Sequence, residues 1–122
     1  MKQISNTKRK YFDLEQRTRL FACKVNELIL KLVHNAVNTE IAKQLVRSAG
    51  SVGANYIEAN EALSKRDFVM RVKISKKEAK ESRYWLSLLN LPENLEYTRG
   101  VLIQEATEIM KILGAILNKC QS

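Results

Sequence analysis

The sequence is poor in the residues that break regular structure or build metal and redox centres. It has one Pro and four Gly in 122 residues, too few for the many turns of an all-β domain. Its two cysteines, Cys23 and Cys120, are too distant for a CxxC motif, and we interpret them as structural free thiols. The single histidine, His34, cannot supply the paired Glu-x-x-His motifs of a di-iron bundle. These shortages favour a helical protein without a metal or redox centre.

Long apolar runs are also missing. No segment approaches the roughly 20 apolar residues that a transmembrane helix requires. The first ten residues, MKQISNTKRK, lack the apolar stretch of a secretory signal. Hydrophobic residues make up 45% of the chain and charged residues 28%, the usual balance of one soluble domain. We therefore expect a cytoplasmic protein that has no membrane partner.

Apolar residues recur at helical spacing in four segments of about 20 residues each. Thr39 is the expected cap of the second segment, and Ser64 with Asp67 forms a capping box before the third. Short links force neighbouring helices to run antiparallel, so the sequence predicts an all-α, up-down four-helix bundle over residues 13–122. Residues 1–12 are predicted to form a basic N-terminal arm. The expected helices run over Asp13 to about Ala36, Glu40 to Ala62, the cap at Ser64 to Leu89, and Thr98 to Cys120.

Positive charge is abundant, with 21 Lys and Arg against 13 acids and a net charge of +8. On the third helix five cations fall within an arc of about 120°, beside the apolar seam through Phe68 and close to Tyr84. Glu78 and Glu81 lie on the opposite flank. Segregated cations favour a polyanion such as RNA, although a solvated face is the alternative. The predicted nucleic-acid-binding residues are Lys8, Arg9, Lys10, Lys73, Lys76, Lys77, Lys80 and Arg83.

Polar residues follow one side of the second helix and face the third. A polar row beside an apolar seam needs partners, because an unsatisfied buried group costs about 1–3 kcal/mol. We interpret the row mainly as a network that fixes helix register, with a binding site as the less favoured alternative. The predicted network consists of Arg47, Ser48, Ser51, Asn55, Glu58 and Glu78.

Catalytic signals are weak. His34 has no nearby Ser or Cys in a nucleophile arrangement. Paired carboxylates at Glu58-x-x-Glu61 and Glu78-x-x-Glu81 are similar to those with which all-α nucleotide pyrophosphohydrolases hold Mg²⁺. Neighbouring lysines can instead pair with these acids. We expect no catalytic residue, metal or cofactor, and keep the magnesium enzyme as the least favoured alternative.

Apolar residues outside the seams indicate self-association. One bundle core cannot easily bury two faces of a helix, and monomers rarely expose large apolar patches. The alternative is an irregular bundle in which Trp85 reaches the core from the edge of the seam. The residues predicted to form an oligomer interface are Met70, Ile74, Trp85, Leu88, Leu20 and Leu30.

Two segments carry a resemblance to a known family. Residues 44–59, QLVRSAGSVGANYIEA, resemble the signature helix of the bacterial four helix bundle proteins, which include proteins encoded in intervening sequences of 23S ribosomal RNA. Ser64, Asp67-Phe68 and residues 77–86, KEAKESRYWL, resemble the next helix of that family. The resemblance extends over about Leu14 to Leu117 and implies an up-down bundle that assembles as a homopentamer.

A bundle similar to this family serves as the accessory variability protein of diversity-generating retroelements, where a basic pentamer binds RNA and a reverse transcriptase. Most family members have no established activity, so the resemblance implies more about fold than about function. Together with the charge pattern, it leads us to expect a non-enzymatic protein that binds RNA through a basic face of an oligomer. The alternative is a protein-only scaffold that binds a reverse transcriptase or another protein.

Overall fold

A computed structural model describes the backbone of residues 6–121 and the side chains of residues 14–120. That part of the chain contains no β-strand, and none of its helices is long and apolar enough to cross a membrane. The predicted all-α class is therefore confirmed. The elements are α1 (Asn6–Leu30), α2 (Ala36–Asn60), α3 (Lys65–Leu88), a short 3-10 helix (Glu93–Leu95) and α4 (Glu96–Gln121).

The helices pack in chain order around one core. Among the described residues, α2 packs most extensively against α3 and α3 packs against α4. Helix α1 closes the bundle with fewer described contacts to α2 and fewer still to α4. Ser48 of α2 bonds Ser82 of α3, whereas the later Asn55 bonds the earlier Arg71, so these helices run antiparallel. The predicted up-down four-helix bundle is thus confirmed.

Each helix contributes one buried stripe to the core, as the helical spacing predicted. On α3 the stripe contains Val72, Ser75, Ala79, Ser82 and Leu86, all of them fully buried, while Phe68 at its start is half-buried. Burial of each large aliphatic side chain contributes about 1.5–3 kcal/mol. The largest fully buried side chains elsewhere are Tyr56, Phe21, Leu14, Leu28, Leu45, Leu102, Ile109, Leu113, Val25 and Val52.

The start of α3 agrees with the sequence, but the start of α2 does not. Ser64 accepts a hydrogen bond from the Asp67 amide at 3.1 Å, as the capping box predicted. The prediction that Thr39 caps α2 was wrong, because the extended residue Asn35 accepts the bond from the Asn38 amide at 2.8 Å. Helix α2 consequently begins at Ala36.

The ends of α1 also differ from the expectation. The helix ends at Leu30, so His34 lies in the link to α2 and not late in a helix. It begins at Asn6, before the predicted start at Asp13. The predicted binding residues Lys8, Arg9 and Lys10 have side chains outside the described residues.

The two glycines in the middle of α2 have different surroundings. A Cβ atom on Gly53 would lie 3.0 Å from Thr18 Oγ1, so the missing side chain lets α1 and α2 approach closely. A Cβ atom on Gly50 would meet nothing within 4 Å. Packing therefore explains Gly53, but it does not explain Gly50.

Candidate nucleic-acid interface

The basic flank of α3 divides into two groups, of which one lies against α4. Arg83 Nη1 donates a hydrogen bond to Thr107 Oγ1 at 3.1 Å. Lys76 is half-buried, and its Nζ lies 3.5 Å from the position that a Cβ atom on Gly114 would take. These two cations are held beside α4, so they are less available to an external ligand than their spacing on the helix suggested.

The other group consists of Lys73, Lys77 and Lys80, which we call the lysine row. All three residues are exposed, and none forms an ion pair or side-chain hydrogen bond with any residue in the described range 14–120. With a rise of 1.5 Å per residue, the row extends over about 10 Å along α3. It is therefore a short line of positive charge that nothing in the described bundle neutralises.

Tyr84 follows the lysine row along the same side of α3. Its side chain is 57% exposed, and its ring contacts Trp85 edge-on at a centroid distance of 5.1 Å. Trp85 is half-buried, and its Nε1 donates to Glu81 Oε1 at 3.4 Å. An exposed aromatic ring thus lies at the end of the row, braced by a partly buried neighbour.

The opposite flank of α3 has its charges paired with α2. Arg47 Nη1 lies 3.3 Å from Glu78 Oε1, and Arg47 Nη2 lies 2.7 Å from Glu81 Oε1. Only 10% of the Glu78 side chain is exposed, so its carboxylate depends on this guanidinium. The acids that could have neutralised the lysine row are therefore bound on the other side of the helix.

Hydroxyl and amide groups continue this pairing along the α2–α3 contact. Ser82 Oγ donates to Ser48 Oγ at 3.0 Å, and Ser75 Oγ donates to the Val52 carbonyl at 2.7 Å. These bonds join fully buried positions on the two helices and so fix their register, which supports the structural interpretation of the polar row.

Asn55, Ser51 and Glu58 of the predicted network differ in their contacts, and Ser51 takes part through its carbonyl, since its hydroxyl has no hydrogen-bond partner among residues 14–120. Asn55 Oδ1 accepts from Arg71 Nη1 at 3.0 Å, and Asn55 Nδ2 donates to the Ser51 carbonyl at 2.9 Å. Glu58 is exposed and has no hydrogen-bond partner among residues 14–120, so its inclusion in the network was wrong. Its side chain is exposed to solvent.

The four glutamates of the enzyme alternative do not form a metal centre. Within the side chains that the structure describes, no group of three or more His, Cys, Asp or Glu residues converges enough to hold an ion. Arg47 contacts Glu78 and Glu81 where a cation would have to bind. The donor set therefore does not support Mg²⁺ chemistry at this site.

The apolar residues outside the core lie on two different helices. Met70 and Leu88 of α3 are exposed, as are Leu20 and Leu30 of α1, the last with 85% of its surface accessible. Ile74 and Trp85 are half-buried. Helices α1 and α3 occupy diagonal corners of the bundle, so these residues form two separate apolar surfaces.

Sequence patterns missed several long-range polar contacts. Buried Asn38 donates to the Asn90 carbonyl and accepts from the Asn90 amide, both at 2.9 Å. Arg17 binds Glu105 through two bonds of 2.7 and 2.9 Å, and this hydrogen bonding raises the pKa of the guanidinium. Partners this far apart in the chain share no spacing rule, so only their side-chain types were visible beforehand.

Comparison with known proteins identifies the family. Residues 10–115 match the family described as 23S rRNA-intervening sequence protein. The chain belongs to this family. The match confirms the resemblance carried by residues 44–59 and 77–86.

A solved structure is similar over nearly the whole chain. It is a protein of unknown function from the S23 ribosomal protein family of Bacteroides thetaiotaomicron VPI-5482, with 33% sequence identity and a TM-score of 0.74. The similarity covers 89% of this chain and 98% of that one. Comparison with functionally curated proteins gave no match. The family and this neighbour therefore support the fold and indicate no enzyme class.

Proposed function

We propose that this 23S rRNA-intervening sequence family protein is a cytoplasmic, non-enzymatic RNA-binding protein whose lysine row contacts phosphates in a homo-oligomer. The observation that carries the proposal is the contrast between the two flanks of α3. Glu78 and Glu81 are bound by Arg47, whereas Lys73, Lys77 and Lys80 have no acidic partner among the described side chains. A row of this kind carries a charge that a polyanion can neutralise.

Binding through the row should depend strongly on salt. Each phosphate that a lysine neutralises releases counterions and contributes about 0.7–0.9 to the slope of log affinity against log salt. Three lysines therefore give a slope of about −2 to −3 for one protomer. Several protomers on one RNA would raise both the slope and the affinity by multivalency.

The decisive experiment compares two triple charge reversals that change the net charge equally. One variant carries Lys73→Glu, Lys77→Glu and Lys80→Glu, and the control carries Lys24→Glu, Lys31→Glu and Lys43→Glu at exposed positions elsewhere. We expect the first variant to lose most RNA affinity and most of the salt slope, with unchanged helicity by circular dichroism. Equal losses in both variants, or undiminished binding in the first, would contradict the proposed interface.

Self-association is the second part of the proposal, and it rests on the two apolar surfaces. Because they lie on diagonal helices, the α1 surface of one protomer can dock against the α3 surface of its neighbour. On α3 the contact would run along Ile74 and Trp85, because Met70 and Leu88 lie in line with the lysine row, which must stay open to RNA. Such head-to-tail contacts produce a ring when the rotation closes. The family resemblance implies five protomers in that ring.

Sedimentation equilibrium tests this assembly. We expect a mass of several protomers that Leu20→Glu reduces, because a carboxylate would be buried in the contact and Leu20 lies on α1, away from the lysine row. Leu63→Glu is the control, since Leu63 is 99% exposed in the link between α2 and α3. A mass near 14.0 kDa at all micromolar concentrations would refute the assembly. An oligomer without RNA affinity would instead favour the protein-only scaffold.

A further inference from the structure

The lysine row and Tyr84 occupy one continuous side of α3. Residues 73, 77, 80 and 84 are separated by four, three and four positions, which places them above one another on a helix. All four side chains are exposed. Successive members differ in height by about 4.5–6 Å, close to one helical turn. Three cations and an aromatic ring therefore form a single file along the helix.

The contact with Trp85 limits the freedom of the Tyr84 ring. The two rings meet edge-on, with an interplanar angle of 66°. Trp85 is partly buried against the core and bonded to Glu81, which Arg47 holds from α2. A ring that is already oriented loses less conformational entropy when a ligand stacks on it. The braced ring is therefore better suited to stacking than a freely rotating surface tyrosine.

We infer that the lysine row and Tyr84 form one track for single-stranded RNA, in which the lysines contact successive phosphates and Tyr84 stacks on an unpaired base. The inference deepens the proposed function and rests on it. Bases in a duplex have their faces buried in the stack, so a protein ring can reach a base face only where the RNA is unpaired. A cationic path with an adjacent aromatic ring is the usual means by which proteins bind single strands.

The track also implies broad tolerance of sequence. Every base has a π-face, so stacking on Tyr84 distinguishes paired from unpaired RNA more strongly than one base from another. The lysines contact phosphates, which carry no sequence information directly. The expected ligand is therefore an unpaired RNA segment of varied sequence, such as a loop or an open strand.

The test uses the full-length protein with two labelled probes of equal strand length, an oligouridine and a blunt RNA duplex. Three variants are compared: Tyr84→Leu, Tyr84→Phe and the control Tyr97→Leu, which removes another highly exposed tyrosine. We expect Tyr84→Leu to weaken oligouridine binding roughly ten-fold without changing the salt slope. Tyr84→Phe should restore the affinity, and Tyr97→Leu should leave it unchanged.

Trp85 provides a second measurement, because it is the one tryptophan of the chain and touches Tyr84. Its fluorescence should change when oligouridine binds and should change much less in Tyr84→Leu.

The outcomes separate the track from the general proposal. Equal affinity for duplex and oligouridine, with no effect of Tyr84→Leu, would refute the track. If charge reversal of the lysine row still abolished binding, the proposed function would stand. If neither the oligouridine nor the duplex bound at low salt, both the track and the proposed function would be refuted.

Discussion

The two flanks of α3 use charge in opposite ways. Toward α2, Glu78 and Glu81 are bound by Arg47. A hydrogen bond between the buried residues Ser82 and Ser48 also joins α3 to α2. On the other flank, Lys73 and Lys77 have no partner within residues 14–120. The flank toward α2 therefore fixes the position of the helix, and the lysine row on the other flank carries charge that the described fold does not use. Substitutions on the two flanks should accordingly differ in what they damage.

The largest effect on stability is expected from Arg47→Met. The variant keeps an apolar stem but leaves the nearly buried carboxylate of Glu78 without its cation, at a cost of about 2 kcal/mol. Arg83→Met is the matched control on the other flank, where the neutral hydroxyl of Thr107 is the one described hydrogen-bond partner of the guanidinium. Urea unfolding at one fixed protein concentration measures the free energy of unfolding of both variants. Equal losses would show that the two flanks contribute alike to stability.

A smaller loss is expected from Ser82→Ala. It removes the buried hydrogen bond to Ser48, while Ser48 keeps its own bond to the Leu45 carbonyl, so the cost should be about 1 kcal/mol. Ser87→Ala is the control, because the Ser87 hydroxyl bonds the Tyr84 carbonyl at an exposed position. Thermal unfolding should distinguish the two. A Ser87 variant that loses as much as the Ser82 variant would contradict the register-fixing role of the buried pair.

The smallest effect is expected from replacing Lys73, Lys77 and Lys80 together by Gln. Lysines four residues apart repel one another, so the variant should be unchanged or slightly more stable, by at most about 0.5 kcal/mol. Any gain should shrink at high salt, where charge repulsion is screened. The melting temperature at low and high salt measures this. A loss above about 1 kcal/mol would reveal that the lysines stabilise the fold.

Much of the difference between the two flanks of α3 could be predicted from the sequence, because local spacing determines which face of a helix a residue occupies. The seam through Val72, Ala79 and Leu86 and the cap at Ser64 needed only that spacing and a suitable side chain. The start of α2 did not follow from local rules. Asn35 and Thr39 are both good caps, and Asn38 binds Asn90 across the bundle, a contact that no local pattern reveals.

For the candidate site, the sequence likewise predicted positions on one helix but not contacts between helices. A helical wheel placed five cations on one flank, but it gives an angle on α3 and no position for α4. It could not show that Lys76 and Arg83 lie beside Gly114 and Thr107. The same limitation made Glu58 look like a partner of α3, although its side chain is exposed. The sequence placed the lysine row on a basic flank of α3. Only the tertiary structure distinguished it from Lys76 and Arg83, which lie beside α4.

The sparse packing of α1 has a consequence for how the bundle opens. Its described contacts with α4 are the fewest of any neighbouring pair and include the bonds between Arg17 and Glu105. Among the residues that the structure describes, α2, α3 and α4 are joined more extensively than α1, so we expect detachment of α1 to be the least costly partial unfolding of this part of the chain. Amide hydrogens between Leu14 and Leu28 should exchange with solvent before those of α3. The opened form would expose the inner surface of α2, which gives the domain a preferred route for exchanging a helix with another copy.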